Sequence, residues 1–444
     1  SYWEQADPIP LDQDYFQNKL GGFGQYYSTS MQVMEIVSEN DQNPNWVYKL
    51  TDRGVELAKA YEDTINQTTY FGELSQKGDL KFLSRSAAEE YGKLGCICPK
   101  ALALSKDREI LRDTFFRFDK HGQGSNHYRR RLTLGVALDL VYSANNAFRR
   151  EMLRPALYLG EFSAGNRYIP SEPLSEWVQR WKMVEIRHLF TFGLQNLWGA
   201  FLLELGNNGH LTLADFLDWA KVQLSTGLVE LSASDALSAL CDEFHLGDWQ
   251  SSYKEFSQTC LQATQKDEFS IYKSSIQNSR DAGQLLKNGF LILNQFFLRF
   301  LPLAEENSNI WKEMADLERL PFSRYFQAMK SHLECNNFKV SDWMEWIYRE
   351  YILGQHEFIA LEKLRYQEYN TFKFYYQKGT FFWPYSTPNF YQEPIRLAAN
   401  RLNNCITMLV DLGLIDANPD GMMNLTSDGA SYYQRILREL RNGN

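Results

Sequence analysis

The sequence has little of what marks an exported, membrane-bound or motif-bearing enzyme. No basic, apolar, small-residue leader opens it, so a cytoplasmic protein is expected, with its six cysteines as thiols rather than disulfides. Its strongest apolar run, Gly289 to Leu303, is broken by Asn294, Gln295 and Arg299 and is shorter than the roughly 20 residues a bilayer span needs. It predicts a core helix, and no membrane association. Thirteen prolines and no low-complexity tract exclude disorder as the dominant state. There is no repeat with a period of about 20 to 50 residues. G-x-S-x-G, H-E-x-x-H, G-x-x-x-x-G-K-[ST] and G-x-G-x-x-G are all missing, and the seven histidines are scattered singly. No enzyme class is supported, and no cofactor is expected.

What is present is a long, aromatic, acidic chain. Its 444 residues exceed one ordinary core and predict about two to four domains. The 29 Phe, 25 Tyr and 11 Trp favour large buried contacts, within the chain or with partners. Against 46 basic residues stand 55 acidic ones, a net charge of −9. That field repels a phosphate backbone. A local basic face, or a partner that itself holds DNA, remains compatible with it.

Periodicity predicts a mainly α, multi-domain protein with small α+β units at its two ends. Residues 1–68 form the first unit, with helical spacing over Ser28–Asn40, a strand at Trp46–Leu50 and a helix after Thr51. Residues 69–165 are a helical segment with a Gly- and Arg-rich loop. Residues 166–368 are a helical core whose Leu174–Leu205 pattern invites a kink near Gly193 or Gly199. Residues 369–444 begin with a β-hairpin turning at Gln377-Lys378-Gly379 and end in the second α+β unit.

Both ends spell helix, turn, short strand, Leu-Thr-x-x-Gly, helix: "KLTDRG" over Lys49–Gly54 and "NLTSDG" over Asn424–Gly429. Leu50 and Leu425 are expected to end a strand in the core. Thr51 and Thr426 cap the incoming helix, and Gly54 and Gly429 let its backbone sit against the strand. The arrangement resembles winged-helix units, most closely over Leu409–Gly429. A DNA reader shows Arg or Lys on its recognition helix. Ser28–Asn40 has neither, and Glu393–Ile415 has only Arg396 and Arg401. The balance favours protein docking through Leu50, Thr51, Gly54, Leu425, Thr426 and Gly429 over direct base reading.

Other candidate chemistry is thin. Cys96 and Cys98 form a C-x-C pair without a second pair, Cys241 with His245 spans one helical turn, and Cys260, Cys335 and Cys405 stand alone. Buried thiols are the plainer reading, and no metal is expected. Glu185 and His188 make an E-x-x-H lacking the second set that a di-metal bundle needs. Asp342, Glu345, Glu350 and Glu362 read as the polar face of an amphipathic helix. The densest positive cluster follows His121: Arg129, Arg130 and Arg131, then Arg149, Arg150 and Arg154. The plain reading is a mobile loop leading into a solvated basic face; the functional one is contact with a nucleic-acid backbone or an acidic partner.

The blocks Leu111–Phe116, Arg187–Leu202, His356–Phe374 and the terminal "LVDLGLI…LTSDG" together resemble bacterial proteins of antiphage defence islands. That resemblance implies a non-catalytic accessory or scaffold subunit of a complex, docking an SMC-like ATPase or a nuclease subunit, with DNA reached through the complex. Paired terminal winged-helix-like units also resemble kleisin-type subunits, although the apolar, helical middle departs from a kleisin linker. The alternatives are a metal-dependent nuclease or phosphodiesterase whose site is assembled only in the fold, and a winged-helix DNA-binding regulator.

Overall fold

The computed structural model describes residues 7–10, 23–39, 48–77, 80–95, 105–120, 122, 124–163, 165–224, 268–306, 308–315, 322–333, 339–366, 371–385 and 395–442. The protein is mainly helical, with small antiparallel sheets. It divides into two units, each discontinuous in sequence. One comprises residues 1–153, 168–178 and 400–444; the other comprises 154–167 and 179–399. This division crosses the four sequence segments, because the chain leaves the first unit and returns to it.

The first unit opens with helix α1 (Ser28–Val33), strands β1 (Val37–Glu39) and β2 (Tyr48–Leu50), and helix α2 (Asp52–Ile65). The helical spacing read over Ser28–Asn40 stops early. Glu35 takes a left-handed φ of 58°, which ends the helix and turns the next residues into β1. Helices α3 (Lys106–Phe116) and α4 (Asn126–Ser143) follow; α2 packs on α3, and α3 on α4. From Leu132 on, α4 buries nearly every residue, Leu132, Leu134, Val136, Leu138 and Leu140 among them, and α3 and the helices Arg401–Asp411 and Ser427–Arg441 pack around it.

The second unit is built on α5 (Ser175–Asn208), its residues from Gln179 onward, followed by β3 (His210–Thr212) and α6 (Leu213–Gln223). α5 is one helix of 34 residues. Its glycines serve close packing. A Cβ on Gly193 would stand 2.8 Å from Leu293, and one on Gly199 would stand 2.7 Å from Ile395. Facing them is α7 (Ala282–Glu306), the expected core helix, whose Gly289 lies against Leu197 and the Gly193 carbonyl. No helix among the described residues is long and apolar enough to cross a membrane.

Aromatic rings fill this core: Phe190, Phe296, Phe322 and Tyr325 interlock with centroids 5.1 to 6.4 Å apart. Burying each Phe contributes about 1.5–3 kcal/mol. One buried ion pair interrupts the rings, Arg299 gripping Glu268 at 2.7 and 3.0 Å while Tyr158 Oη donates to the same carboxylate.

Helix α8 (Gly354–Leu364) precedes the hairpin of β4 (Tyr375–Gln377) and β5 (Thr380–Phe382). The turn falls where the sequence places it, with Lys378 and Gly379 both at positive φ (49° and 84°), the backbone a tight two-residue hairpin requires. β5 also pairs with β3, so this hairpin belongs to the second unit rather than to the C-terminal segment.

Returning to the first unit, the chain forms α9 (Arg401–Asp411), β6 (Ile415–Ala417), β7 (Met423–Leu425) and α10 (Ser427–Arg441). Both α9 and α10 pack on α4. Buried Asp139 of α4 accepts hydrogen bonds from Tyr433 of α10, from Tyr168 at 2.5 Å and from the Ser171 amide at 3.3 Å. Burial and the adjacent carboxylate raise the Tyr168 hydroxyl well above its ordinary pKa and also raise Tyr433.

Candidate functional site

The two Leu-Thr-x-x-Gly stretches close the same backbone corner twice. In the first, the Thr51 hydroxyl donates to Glu35 O at 2.6 Å, with Ile36 O at 3.1 Å, and accepts the Gly54 amide at 3.1 Å. The Thr51 amide donates to Ile36 O. In the second, the Thr426 hydroxyl donates to Gly413 O at 2.9 Å, with Leu414 O at 3.3 Å, and accepts the Gly429 amide at 3.0 Å. Its own amide donates to Leu414 O. Thr thus caps its helix and ties that helix to the preceding helix–strand junction.

Glycine is forced at the third position after Thr. A Cβ would lie 2.1 Å from Ile36 O at Gly54 and 1.9 Å from Leu414 O at Gly429. The hairpins also match in register: Val37 faces Leu50 as Ile415 faces Leu425. The residue before each corner is left-handed, Glu35 in one and Gly413 (φ 69°) in the other.

The corners differ in their surfaces. Leu50 does not enter a core: it is 49% exposed, and Val33, Val55, Tyr26 and Tyr27 nearby in the sequence are exposed too. Leu425 is half-buried. The hairpin Ile415–Leu425 bears Asp416 and Asp420 and no Lys or Arg, a poor surface for a phosphate backbone.

The arginine cluster is not one solvated basic face; the loop expected before it lies partly outside the described residues. α4 begins at Asn126 with Ser125 as its N-cap, and two of its arginines turn back onto the end of α3. Arg130 donates to Phe115 O and Thr114 O, both at 2.9 Å; Arg131 donates to Arg117 O at 2.6 Å and Phe116 O at 3.2 Å. The carbonyls of Thr114, Phe115 and Phe116 lie in the last turn of a helix, which leaves them without an intrahelical donor, while Arg117 O also accepts the Lys120 amide at 3.0 Å. Burial lowers the pKa of both guanidiniums, that of Arg130 to about 10. Arg149 donates to Asp420 O at 2.8 Å, and Arg150 to Asn403 Oδ1 and Thr407 Oγ1 of α9 at 2.8 and 2.9 Å. In the second unit Arg154 holds the buried Glu185 carboxylate at 2.6 Å and donates to Ala398 O. Of the six, Arg129 is the one with an exposed side chain.

Two functional-looking residues escaped the sequence reading. From α3, Arg112 reaches the second corner, donating to Leu412 O at 2.8 Å and Asp428 at 2.9 Å. Arg117, at the same helix's end, reaches the first corner through Glu35 and also binds Asp119. His127 completes the first contact. Its Nδ1 accepts from Arg130, which can only donate, so Nε2–H donates to Glu35 at 3.0 Å. Burial raises the Glu35 pKa, but the Arg117 and His127 hydrogen bonds outweigh it, so the carboxyl titrates below its ordinary range. An Arg–x₄–Arg spacing on one helix was the available signal, too common to single out.

The remaining candidates do not converge. Cys96, Cys98, Cys241 with His245, Cys260 and Cys335 lie outside the described residues, as does His121. The Cys405 thiol is pushed up to about 11 by burial, which makes it unreactive. The Glu185–His188 pair is spent on Arg154. Asp342 caps its own helix through the Lys339 amide, and Glu345 pairs with Arg349. Among the described residues no three His, Cys, Asp or Glu side chains gather as a metal-ion set would. The chain matches no protein-family model, and comparison with curated proteins and with solved structures finds no significant match.

Proposed function

We propose that this chain is a non-catalytic assembly subunit that docks protein partners through its Leu-Thr-x-x-Gly corners, the first above all. The observation that carries the reading is the exposure of three apolar side chains in that corner, Val33 of α1, Leu50 of β2 and Val55 of α2. Two supporting facts point away from direct nucleic-acid reading. The second hairpin is acidic, and five of the six arginines that would have steered onto a backbone hold oxygens of their own chain. The resemblance to antiphage defence-island proteins supplies the setting, with an SMC-like ATPase or a nuclease subunit as partner and DNA reached through it.

Deleting residues 1–68 or 369–444 is a poor test, since α2 and α10 pack into the first unit. The better experiment co-expresses the tagged full chain with its neighbouring genes. A stoichiometric complex is expected, and it should be lost in the Val33→Asp, Leu50→Asp double variant while that variant melts like the parent. Full retention of the partner by the folded double variant sinks the proposal.

A further inference from the structure

The second unit contains a cavity of about 660 Å³ between α8 and the β4–β5 hairpin. Phe372, Phe374, Tyr375, Tyr376 and Phe381 wall it, and Glu350 and Glu357 bring carboxylates to it. The wall next to Glu350 is a π-helical turn, Tyr348–Leu353, closed by the Gly354 amide on Arg349 O. A Cβ on Gly354 would stand 2.7 Å from that carbonyl, so the wide turn depends on glycine here. Such turns recur at binding sites.

The local charges decide what the cavity suits. Glu350 and Glu357 are exposed, and neither is in an ion pair among the described residues. Among the described residues that line it, the one Lys or Arg is Arg349, which is bonded to Glu345 at 2.8 Å. His356 stacks on Trp198 and Phe374, with centroids 4.6 and 5.2 Å away. Burial, helped by the nearby Lys373 and Lys363, pushes it down to about 4, so it is neutral at pH 7. Aromatic faces attract cations through their quadrupoles, and carboxylates at the mouth add a charge-assisted partner. β4 borders the cavity and, among the described residues, is the outer strand of the order β3–β5–β4, with all three of its residues exposed. A free strand edge takes an extended peptide by backbone pairing.

We infer that this cavity receives an arginine or lysine side chain of an extended basic segment from a partner protein, laid along β4. The occupant follows from charge complementarity: two unpaired carboxylates and aromatic walls on a chain of net charge −9. The site shares no residue with the corners, so its failure leaves the corner reading standing.

Fluorescence anisotropy with the full-length protein tests it, using a labelled ten-residue peptide alternating Arg with Val, a Glu-for-Arg version of it, and a single-stranded oligonucleotide. Salt-sensitive binding of the Arg peptide alone is expected. Glu350→Gln with Glu357→Gln should weaken it about tenfold or more, Tyr376→Ala should weaken it several-fold, and Arg349→Ala should tighten it. Unchanged melting would confirm that these surface variants are folded. Equal binding of the acidic peptide or the oligonucleotide, or an affinity indifferent to the Glu→Gln pair, would overturn the assignment.

Discussion

The two corners share a motif, a register and a hydrogen-bond pattern, yet one is finished and the other is not. In the second, α9 buries Leu402, Ile406 and Leu409, and α10 buries Tyr433, Ile436 and Leu437, so the corner is clamped against α4. In the first, the six residues of α1 bury none of their side chains, and α2 buries only Gly54, Ala60 and Ile65. The same local chemistry therefore closes a corner over a large core and over a small one, which in the first is Ile36, Val37, Ala60 and Ile65. What differs is the apolar surface left over, and that surplus makes the first corner the one with something to bind.

The largest effect is expected from the glycines. Ala at position 429 would place its Cβ 1.9 Å from Leu414 O, in a corner that cannot open without tearing α9 and α10 from α4. Gly429→Ala should cost about 3 kcal/mol, at the upper end for overpacking. Gly54→Ala meets Ile36 O at 2.1 Å, but α1 can yield, and about 1–2 kcal/mol is expected. Urea unfolding of both variants measures the gap. Equal losses would mean that the first corner is as rigidly held as the second.

Arg131→Ala should come next. It takes away the donor of the Phe116 carbonyl, one of the two donors of the Arg117 carbonyl and the ion-pair partner of Glu439, at about 2–3 kcal/mol. Since α3 sends Arg112 to one corner and Arg117 to the other, amide exchange should quicken at both. Loosening of one corner alone would show that they do not share this support.

Much of the corner was legible because it is local. A Thr and a Gly three residues apart, after a strand, state both the cap and the close approach, just as Lys378-Gly379 states its turn. Three things were not legible. The left-handed Glu35 sits inside a helical spacing, and nothing in a glutamate's chemistry announces a positive φ. The α9 and α10 partners of α4 lie nearly three hundred residues on, and β5 finds β3 from about 170 residues away (His210 opposite Phe382), so neither shows in a window of sequence. Arg130 and Arg131 looked like a surface charge run because a guanidinium that caps another helix reads the same in one dimension as one in water.

Glu35 gives the corners different acid sensitivity. Its folded-state pKa is depressed, so its contribution is present above the unfolded value near 4.5 and is lost as pH falls through the lower folded value. Protection of the Thr51 to Val55 amides should fall in that window below pH 4.5, and Glu35→Gln should remove the dependence. The equivalent residue of the second corner, Gly413, has no carboxyl to protonate. The Glu35 side chain is 45% exposed, which screens the effect and keeps it below that of Arg131→Ala. A first corner whose protection is flat from pH 6 to 3 would remove Glu35 as the distinguishing residue.

The smallest effect on stability separates the two leucines. Leu50→Asp places a charge where the side chain already meets water, and should change stability by less than about 0.5 kcal/mol. Leu425→Asp puts the same charge at a half-buried position, and about 1–2 kcal/mol is expected. Because the residues hold the same register position, opposite Val37 and Ile415, strand pairing cancels from the comparison. The difference isolates what covers each leucine. If Leu50→Asp destabilised the isolated chain as much as Leu425→Asp does, the first corner would already be covered by its own chain, and there would be no surface left there for a partner.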